Sequence, residues 1–322
     1  MRRTLALLAL AALGYLGWQF FQKYDIAGWD ALRVVPRGAS SADSPAVRPA
    51  ATIRIATFNI QVFGTAKLNK PHVVEYLARI VRQFDVVAIQ EIRSRDQDIL
   101  PRFLEVVNAT GRKYDYVIGP RLPRGPNASN PEQYAFLFDQ ETIEVDRSQL
   151  YTIDDPDDLL VREPLVAWFR VRGPPPDQAF TFTLVNVHTD PDIAEYEVRH
   201  LAQVYRVVLN DGRGEDDVIL LGDFNVDDQR LGPLRAIPGM ECAVVGVPTN
   251  TRGTAQYDNL VFHRQATVEF TGRAGVWDFM REFNLTLEQA LEISDHLPVW
   301  AEFTVWEGGR PGAVAARSPT LR

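Results

Sequence analysis

The run Val218-Ile219-Leu220-Leu221-Gly222-Asp223-Phe224-Asn225 sets an acid and an amide at i and i+2, immediately beyond an apolar strand. Side chains two apart in a strand share a side, so Asp223 and Asn225 face the same way. The glycine before them lets the chain bend or lets a ligand approach closely. Such an end suits a metal ion or a phosphate; the alternative for this stretch alone is an Asx-turn. Other strand ends carry the same kind of polar cluster. Asn59 closes Ile53 to Phe58 and offers an amide oxygen to a metal or an NH2 to a phosphate. Glu91 closes Val86 to Gln90 as a hard oxygen ligand of the kind Mg2+ prefers, with Arg93 on the same side for a phosphate. Glu132 stands just before the strand at Ala135 to Phe138, and Arg162 before the one at Leu165 to Val171. His188 ends Thr181 to Val187 with Asp190 two residues on, and Asp258 opens Leu260 to Phe262. Asp295 and His296 open Leu297 to Trp300, an adjacency that orients and charges an imidazole. Taken singly, these are turn residues, surface ion pairs or structural histidines.

Together they form a hard-metal set plus two histidines with candidate carboxylate partners. The chain lacks the cysteines of a zinc site, a GxSxG serine, and a P-loop or GxGxxG run. By elimination the chemistry is metal-assisted hydrolysis, most naturally of a phosphate ester. A helix is expected near Pro71 to Gln83, where Val73, Val74, Leu77, Ile80 and Val81 keep helical spacing. Helix alternating with buried strand argues for a layered α/β fold.

Arg2 and Arg3 precede an apolar stretch from Leu5 to Trp18 that resumes at Phe20 and Phe21. As a helix, Thr4 to Phe21 would span about 27 Å, just under the roughly 30 Å hydrocarbon core. Its far end carries Tyr15, Trp18, Phe20 and Phe21 rather than small residues, so residues 1–25 read as an uncleaved membrane anchor. Cleavage would make the protein secreted. The two arginines keep the N-terminus cytoplasmic, so the rest is expected outside the inner face of the membrane, periplasmic or extracellular. Residues 26–50 turn to Ala, Ser, Pro, Gly and Asp and read as a flexible tether; residues 307–322 read as a flexible tail. Residues 51–306 form one domain, expected to act as a monomer, with 25 Lys+Arg against 38 Asp+Glu, a net charge of −13. No basic stripe advertises nucleic acid, so metal ions and placed arginines must neutralise any polyanionic substrate. Cys242, the sole cysteine, reads as a small buried residue.

In order and spacing the motifs resemble the endonuclease/exonuclease/phosphatase superfamily, and most of all its deoxyribonuclease I branch. The residues that carry the likeness are Thr57-Phe58-Asn59-Ile60, Ile89-Gln90-Glu91-Ile92-Arg93, Glu132-Gln133-Tyr134, Arg162-Glu163-Pro164, Val187-His188, Gly222-Asp223-Phe224-Asn225, Tyr257-Asp258 and Ser294-Asp295-His296-Leu297-Pro298. The resemblance implies a four-layer sandwich, two packed mixed β-sheets flanked by helices, with the site where strand ends gather. It implies that Glu91 holds Mg2+ (or Mn2+), helped by Asn59 and Asp295, and allows a structural Ca2+. Asp223 and Asn225 would position the phosphate or a second metal. His296, oriented by Asp258, would activate water, and His188, paired with Glu132, would protonate the leaving oxygen or hold the phosphate. Arg93 and Arg162 would contact the phosphodiester backbone. Where the branch carries a tyrosine thought to stack in the DNA minor groove, this chain has Asn130. The expectation is a membrane-held endonuclease acting on DNA. The alternatives are a phosphatase or phospholipase of the same superfamily acting on lipid or small phosphoesters, and a catalytically dead binding module.

Overall fold

The computed structural model describes residues 52–94, 97–122 and 131–312, together with the backbone of Tyr24–Ala27 (β1) and Arg33–Pro36 (β2). The chain divides into Met1–Arg48 and Pro49–Arg322. Within the first unit β1 and β2 pair antiparallel, in a stretch read from sequence as an irregular tether. Ile26, Val34 and Val35 supply strand propensity there. Of residues 1–25, read as an anchor, residues 1–23 lie outside the described residues, as do Asn130 and residues 313–322. Among the described residues no helix is long and apolar enough to cross a membrane.

The second unit is built on strands that are apolar on both faces. In Thr52–Phe63 (β3), Ile53 and Ile55 enter a central core while Ala56 and Phe58 face outward toward helices. Val86–Ile92 (β4) repeats this with Val86 and Ala88 against Val87 and Ile89. The remaining strands are Tyr114–Ile118 (β5), Gln133–Asp139 (β6), Ile143–Thr152 (β7), Leu165–Val171 (β8), Thr181–His188 (β9), Val218–Asp223 (β10), Met240–Cys242 (β11), Asp258–His263 (β12), Phe270–Val276 (β13) and Val299–Thr304 (β14). They form two six-stranded sheets, ordered β13-β14-β3-β4-β6-β5 and β11-β12-β10-β9-β8-β7. Their inner faces meet over Phe136, Phe169, Phe182, Phe262 and Phe303. Helices Pro71–Val81 and Ile99–Asn108 cover the outer face of the first sheet, and Leu201–Leu209 that of the second. The expected four-layer sandwich is therefore present.

Both sheets follow one plan. A parallel pair sits at the centre, β3 with β4 and β9 with β10, and every other pairing is antiparallel. Ligands in such sheets bind beyond the carboxyl ends of parallel strands. In this chain those ends carry Asn59, Glu91, His188 and Asp223.

Two boundaries differ from the sequence reading. β3 does not stop at Asn59 but runs to Phe63 through a register shift, with Gln61 and Val62 in left-handed backbone. Ordered structure also continues past Trp306 into a short turn at Glu307–Gly309, because Glu307 N–H donates to Gln178 O and the Glu307 carboxylate accepts from Thr181 N–H.

Candidate active site

Strand register gathers the acidic residues. Asp223 on β10 is the Cα partner of His188 on parallel β9 and of Asp258 on antiparallel β12, so three neighbouring strands present these side chains in one row. Close approach of β9 and β10 needs Gly222: a Cβ there would lie 1.8 Å from Val187 O. The turn that follows is the Asx-turn allowed by the sequence. Asn225 N–H donates to Asp223 Oδ1 at 3.0 Å, and the Asn225 amide donates to Thr189 O. Turn and platform are one structure, because the other oxygen, Asp223 Oδ2, remains turned toward the histidines.

Both imidazoles approach that oxygen. His188 Nε2 lies 3.7 Å from Asp223 Oδ2 and His296 Nε2 lies 3.5 Å from it. On the opposite ring edges, His188 Nδ1 meets Glu132 Oε1 at 2.6 Å and His296 Nδ1 meets Asp258 Oδ2 at 2.9 Å. Each ring is thus held by a carboxylate from a distant segment. The acids adjacent in sequence do not take this role: Asp295 Oδ1 lies 3.9 Å from His296 Nε2, and Asp190 N–H is spent on Glu197. Burial works against charge on His296, but Asp258 and Asp223 outweigh it and raise its pKa to about 10. Burial likewise opposes charge on Glu132, yet His188, Arg162 and Arg93 hold it down at about 2.

Asn59 joins the two sheets at this pole. Its amide donates to Asp223 Oδ2 at 3.0 Å and to Glu91 Oε1 at 3.4 Å, while its own oxygen accepts Gln61 N–H. In this orientation it presents NH2 to both carboxylates and keeps its oxygen on the backbone. Glu91 Oε2 accepts Val62 N–H and pairs with Arg93 Nη2, each at 2.8 Å. Gln61, Val62, Glu91 and Asn225 all have positive φ, and only two other non-glycine residues among those described do. Such strain collects where surrounding structure forces a side chain into a working position.

The two arginines differ. Arg93 bridges Glu91 and Glu132 at the site's edge. Arg162 is buried, with Nε donating to His188 O at 2.9 Å and lying 3.4 Å from Glu132 Oε1. It supports the Glu132–His188 pair from behind through Nε, while its Nη2 is buried without a hydrogen-bond partner.

Several supporting residues were given no role from the sequence. Lys67 Nζ donates to Ile60 O, Gln61 O and Ile293 O at 2.6–2.7 Å, pinning the β3 bulge to the segment before Asp295. Burial lowers its pKa to about 8 even though Asp295 and Glu91 pull it upward. Thr249 Oγ1 donates to Asp258 Oδ2, and Ser294 Oγ donates to Asn59 O. Asn186 donates to Ile89 O and Ala135 O and accepts from Gln90, stitching the sheets together. A polar Asn inside the apolar alternation of β9 was a readable signal for it.

The donor set suits a hard divalent cation. Asp223, Asp258 and His296 offer ligand atoms within 4.8 Å of one another, and Asp258 Oδ1 and Asp295 Oδ1 are buried without a hydrogen-bond partner. Carboxylate oxygens with one imidazole and no thiol fit Mg2+, Mn2+ or Ca2+.

His188 ends a parallel strand, His296 stands before antiparallel β14, and residues 56–296 of this sandwich match the family model described as Endonuclease/Exonuclease/phosphatase family. The chain belongs to that family. It is 34% identical to bovine (Bos taurus) deoxyribonuclease-1-like 1, over 78% of this chain and 80% of that one. It is 30% identical to rat (Rattus norvegicus) deoxyribonuclease gamma, over 79% of this chain and 85% of the other. Among solved structures, an endonuclease/exonuclease/phosphatase family protein from Bacteroides thetaiotaomicron superposes with TM-score 0.52 at 16% identity, covering 79% of this chain and 97% of that one. The human Nocturnin catalytic domain with bound sulfate gives 0.52 at 15% identity, covering 79% and 93%. At such identities these two show the fold alone. Likeness to the deoxyribonucleases makes the chain a hydrolase of the nuclease or phosphodiesterase kind.

Proposed function

We propose that this protein is a divalent-metal-dependent endonuclease that cleaves DNA, held by its N-terminal segment with the catalytic domain outside the cytoplasm. The observation that carries the chemistry is the chain of contacts Glu132–His188···Asp223···His296–Asp258, in which both Nε2 atoms converge on one carboxylate oxygen. Phosphodiester hydrolysis needs a proton taken from water on one side of phosphorus and one given to the leaving oxygen on the other. Two imidazoles, each held by its own carboxylate, supply such a pair. His296, oriented by Asp258, is assigned the water, and His188 the leaving oxygen or the phosphate. His296 serves as base in the form whose Nε2 lone pair is free. Asp258 first, then Asp223 and Asp295, favour its extra proton, and a cation that neutralises the last two would weaken that hold.

Glu91 and Asp295 would hold the cation, with Asp223, Asn225 and Asn59 at its border with the phosphate. Mg2+ or Mn2+ there would polarise a phosphoryl oxygen as a Lewis acid. Arg93, at the rim, would meet the backbone of the substrate. DNA is favoured because the relatives of 30–34% identity are named as deoxyribonucleases.

The test is full-length protein with supercoiled plasmid and Mg2+ or Mn2+, alongside EDTA and His296→Ala controls. Nicked circles that disappear in both controls support the reading. Plasmid left intact under every metal would redirect it to lipid or small phosphoesters.

A further inference from the structure

At the opposite end of β10, about 20 Å from Asp223 at roughly 3.3 Å per residue, a second acidic group is assembled from separate segments. Asp217 precedes β10, Glu269 precedes β13 and Glu307 follows β14, and their carboxylate oxygens lie within 4.8 Å of one another. Asp217 and Glu269 are each 1% exposed. Among the described residues no Lys, Arg or His forms an ion pair with any of the three; the nearby Arg264 is turned to Glu241 and to Thr267 O.

Three carboxylates beside one another, two of them buried and Glu307 half-buried, with no ion-pair partner among the described residues, is an arrangement that folding alone resists. Burial raises Glu269 and Glu307 to about 7 and Asp217 well above the usual carboxylate range, with repulsion from the adjacent Glu215 and Asp216 adding to that within the group.

A further observation points to a ligand. Thr267 is fully buried beside the Asp217 carboxylate, yet its hydroxyl makes no hydrogen bond of good geometry. Asp217 Oδ1 and Glu269 Oε2 are likewise buried without a partner. The other oxygens of the group are fixed by the backbone: Glu269 accepts Gly308 N–H and Glu307 accepts Thr181 N–H. The unpartnered oxygens therefore belong to three different residues, on side chains whose backbones are set by β-structure.

We infer that Asp217, Glu269 and Glu307, with the Thr267 hydroxyl, form a structural Ca2+ site that clamps the two sheets together at the pole opposite the catalytic one. Oxygen-only donors from several segments, mixing carboxylates with a hydroxyl, suit the irregular six- to eight-fold shell of Ca2+. Mg2+ keeps its waters and is held less well in a largely buried cluster. Asp217 belongs to the β10 sheet and Glu269 and Glu307 to the β13–β14 sheet, so the ion would tie edges that otherwise repel.

The test is thermal unfolding of the full chain in the Glu91→Gln background, which weakens the catalytic cation site, with EDTA, Ca2+ or Mg2+. Tb3+ luminescence excited through tryptophan is read in parallel, since Trp306 adjoins Glu307 and Trp168 binds Glu215 beside the cluster. A rise in Tm of about 5 °C is expected at Ca2+ a hundredfold above its Kd, smaller with Mg2+. A Tb3+ signal displaced by Ca2+ should accompany it. Glu269→Gln and Glu307→Gln should lose both responses while melting no lower than the parent in EDTA, because each removes a repelling charge. No Ca2+ response, or one that survives in both variants, overturns the site. Because these readouts do not use DNA cleavage, failure here and failure of the nuclease assignment are separable.

Discussion

Asn59 Nδ2 lies 3.0 Å from Asp223 Oδ2, a hydrogen bond between the central strands of the two sheets, β3 and β10. Since the same amide also faces Glu91, one residue sets the spacing between the acid assigned to the cation and the acid facing both imidazoles. A hydrogen bond to a charged acceptor contributes about 1.5–3 kcal/mol. Asn59→Ala is therefore expected to lower kcat by about 10- to 100-fold, read from initial rates of plasmid nicking beside a melting curve showing the variant folded. A rate within twofold of the parent would remove Asn59 from the site.

Glu132 sets a pH dependence of stability. Its carboxyl titrates near 2 in the fold instead of 4.5, the combined work of His188, Arg162 and Arg93 against burial. Below about pH 4.5 the unfolded chain takes up a proton that folded Glu132 refuses. Its contribution is therefore complete above that pH and drains away as pH falls through 2. The shift corresponds to roughly 3 kcal/mol at neutral pH. Glu132→Gln should be less stable than the parent at pH 7, with the gap between their urea midpoints narrowing from pH 5 to pH 2.5. A constant gap would show that the loss comes from packing and not from charge.

Much of this site was legible because the acids and histidines stand at the ends of apolar runs: Asp223 after Val218 to Leu221, Glu91 after Val86 to Ile89. Period two is a local signal, and it predicts which side chains emerge. Pairing is not local. Asp258 and Glu132 reach their histidines from 38 and 56 residues away, whereas the adjacent Asp295 and Asp190, more conspicuous in sequence, hold other positions. Bulges were invisible for a similar reason: the extension of β3 to Phe63 depends on Glu91 receiving Val62 N–H across the sheet. Lys67 gave no signal because a lysine whose three donors are spent on backbone carbonyls looks, in sequence, like any solvated helix residue.

Lys67 gives a prediction in which two readouts move in opposite directions. Its ammonium pins Ile60, Gln61 and Ile293, and its charge lies in the field of Asp295 and Glu91. Lys67→Met leaves three carbonyls unsatisfied and frees the β3 bulge, so kcat is expected to fall about tenfold or more, in line with about 1–3 kcal/mol per orphaned group. The same change removes a positive charge facing the cation ligands, so half-saturation by Mg2+ should shift to lower concentration. A fall in kcat with unchanged or weaker Mg2+ activation would mean that Lys67 acts only through packing.

Gly222 controls whether His188 and Asp223 can be neighbours at all. Its φ of 150° lies where side chains are rarely tolerated, and an added Cβ would sit 1.8 Å from Val187 O, which belongs to the backbone and cannot rotate away. Relief requires β9 and β10 to separate, which breaks the parallel ladder beside the Asp223–His188 register pair. Overpacking of this kind costs about 1–3 kcal/mol, and the strained backbone adds about 1–3 kcal/mol more. Gly222→Ala should thus lower the urea midpoint markedly and abolish cleavage even in the fraction that remains folded, because the two Nε2 atoms would no longer converge on Asp223 Oδ2. Gly212→Ala is the matched control. It carries the same positive-φ penalty, with nothing within 4 Å of the added Cβ, and it lies in the loop before β10. It should lose some stability and keep its cleavage rate. Equal loss of activity in both variants would show that backbone strain, and not the spacing of the two strands, is what cleavage depends on.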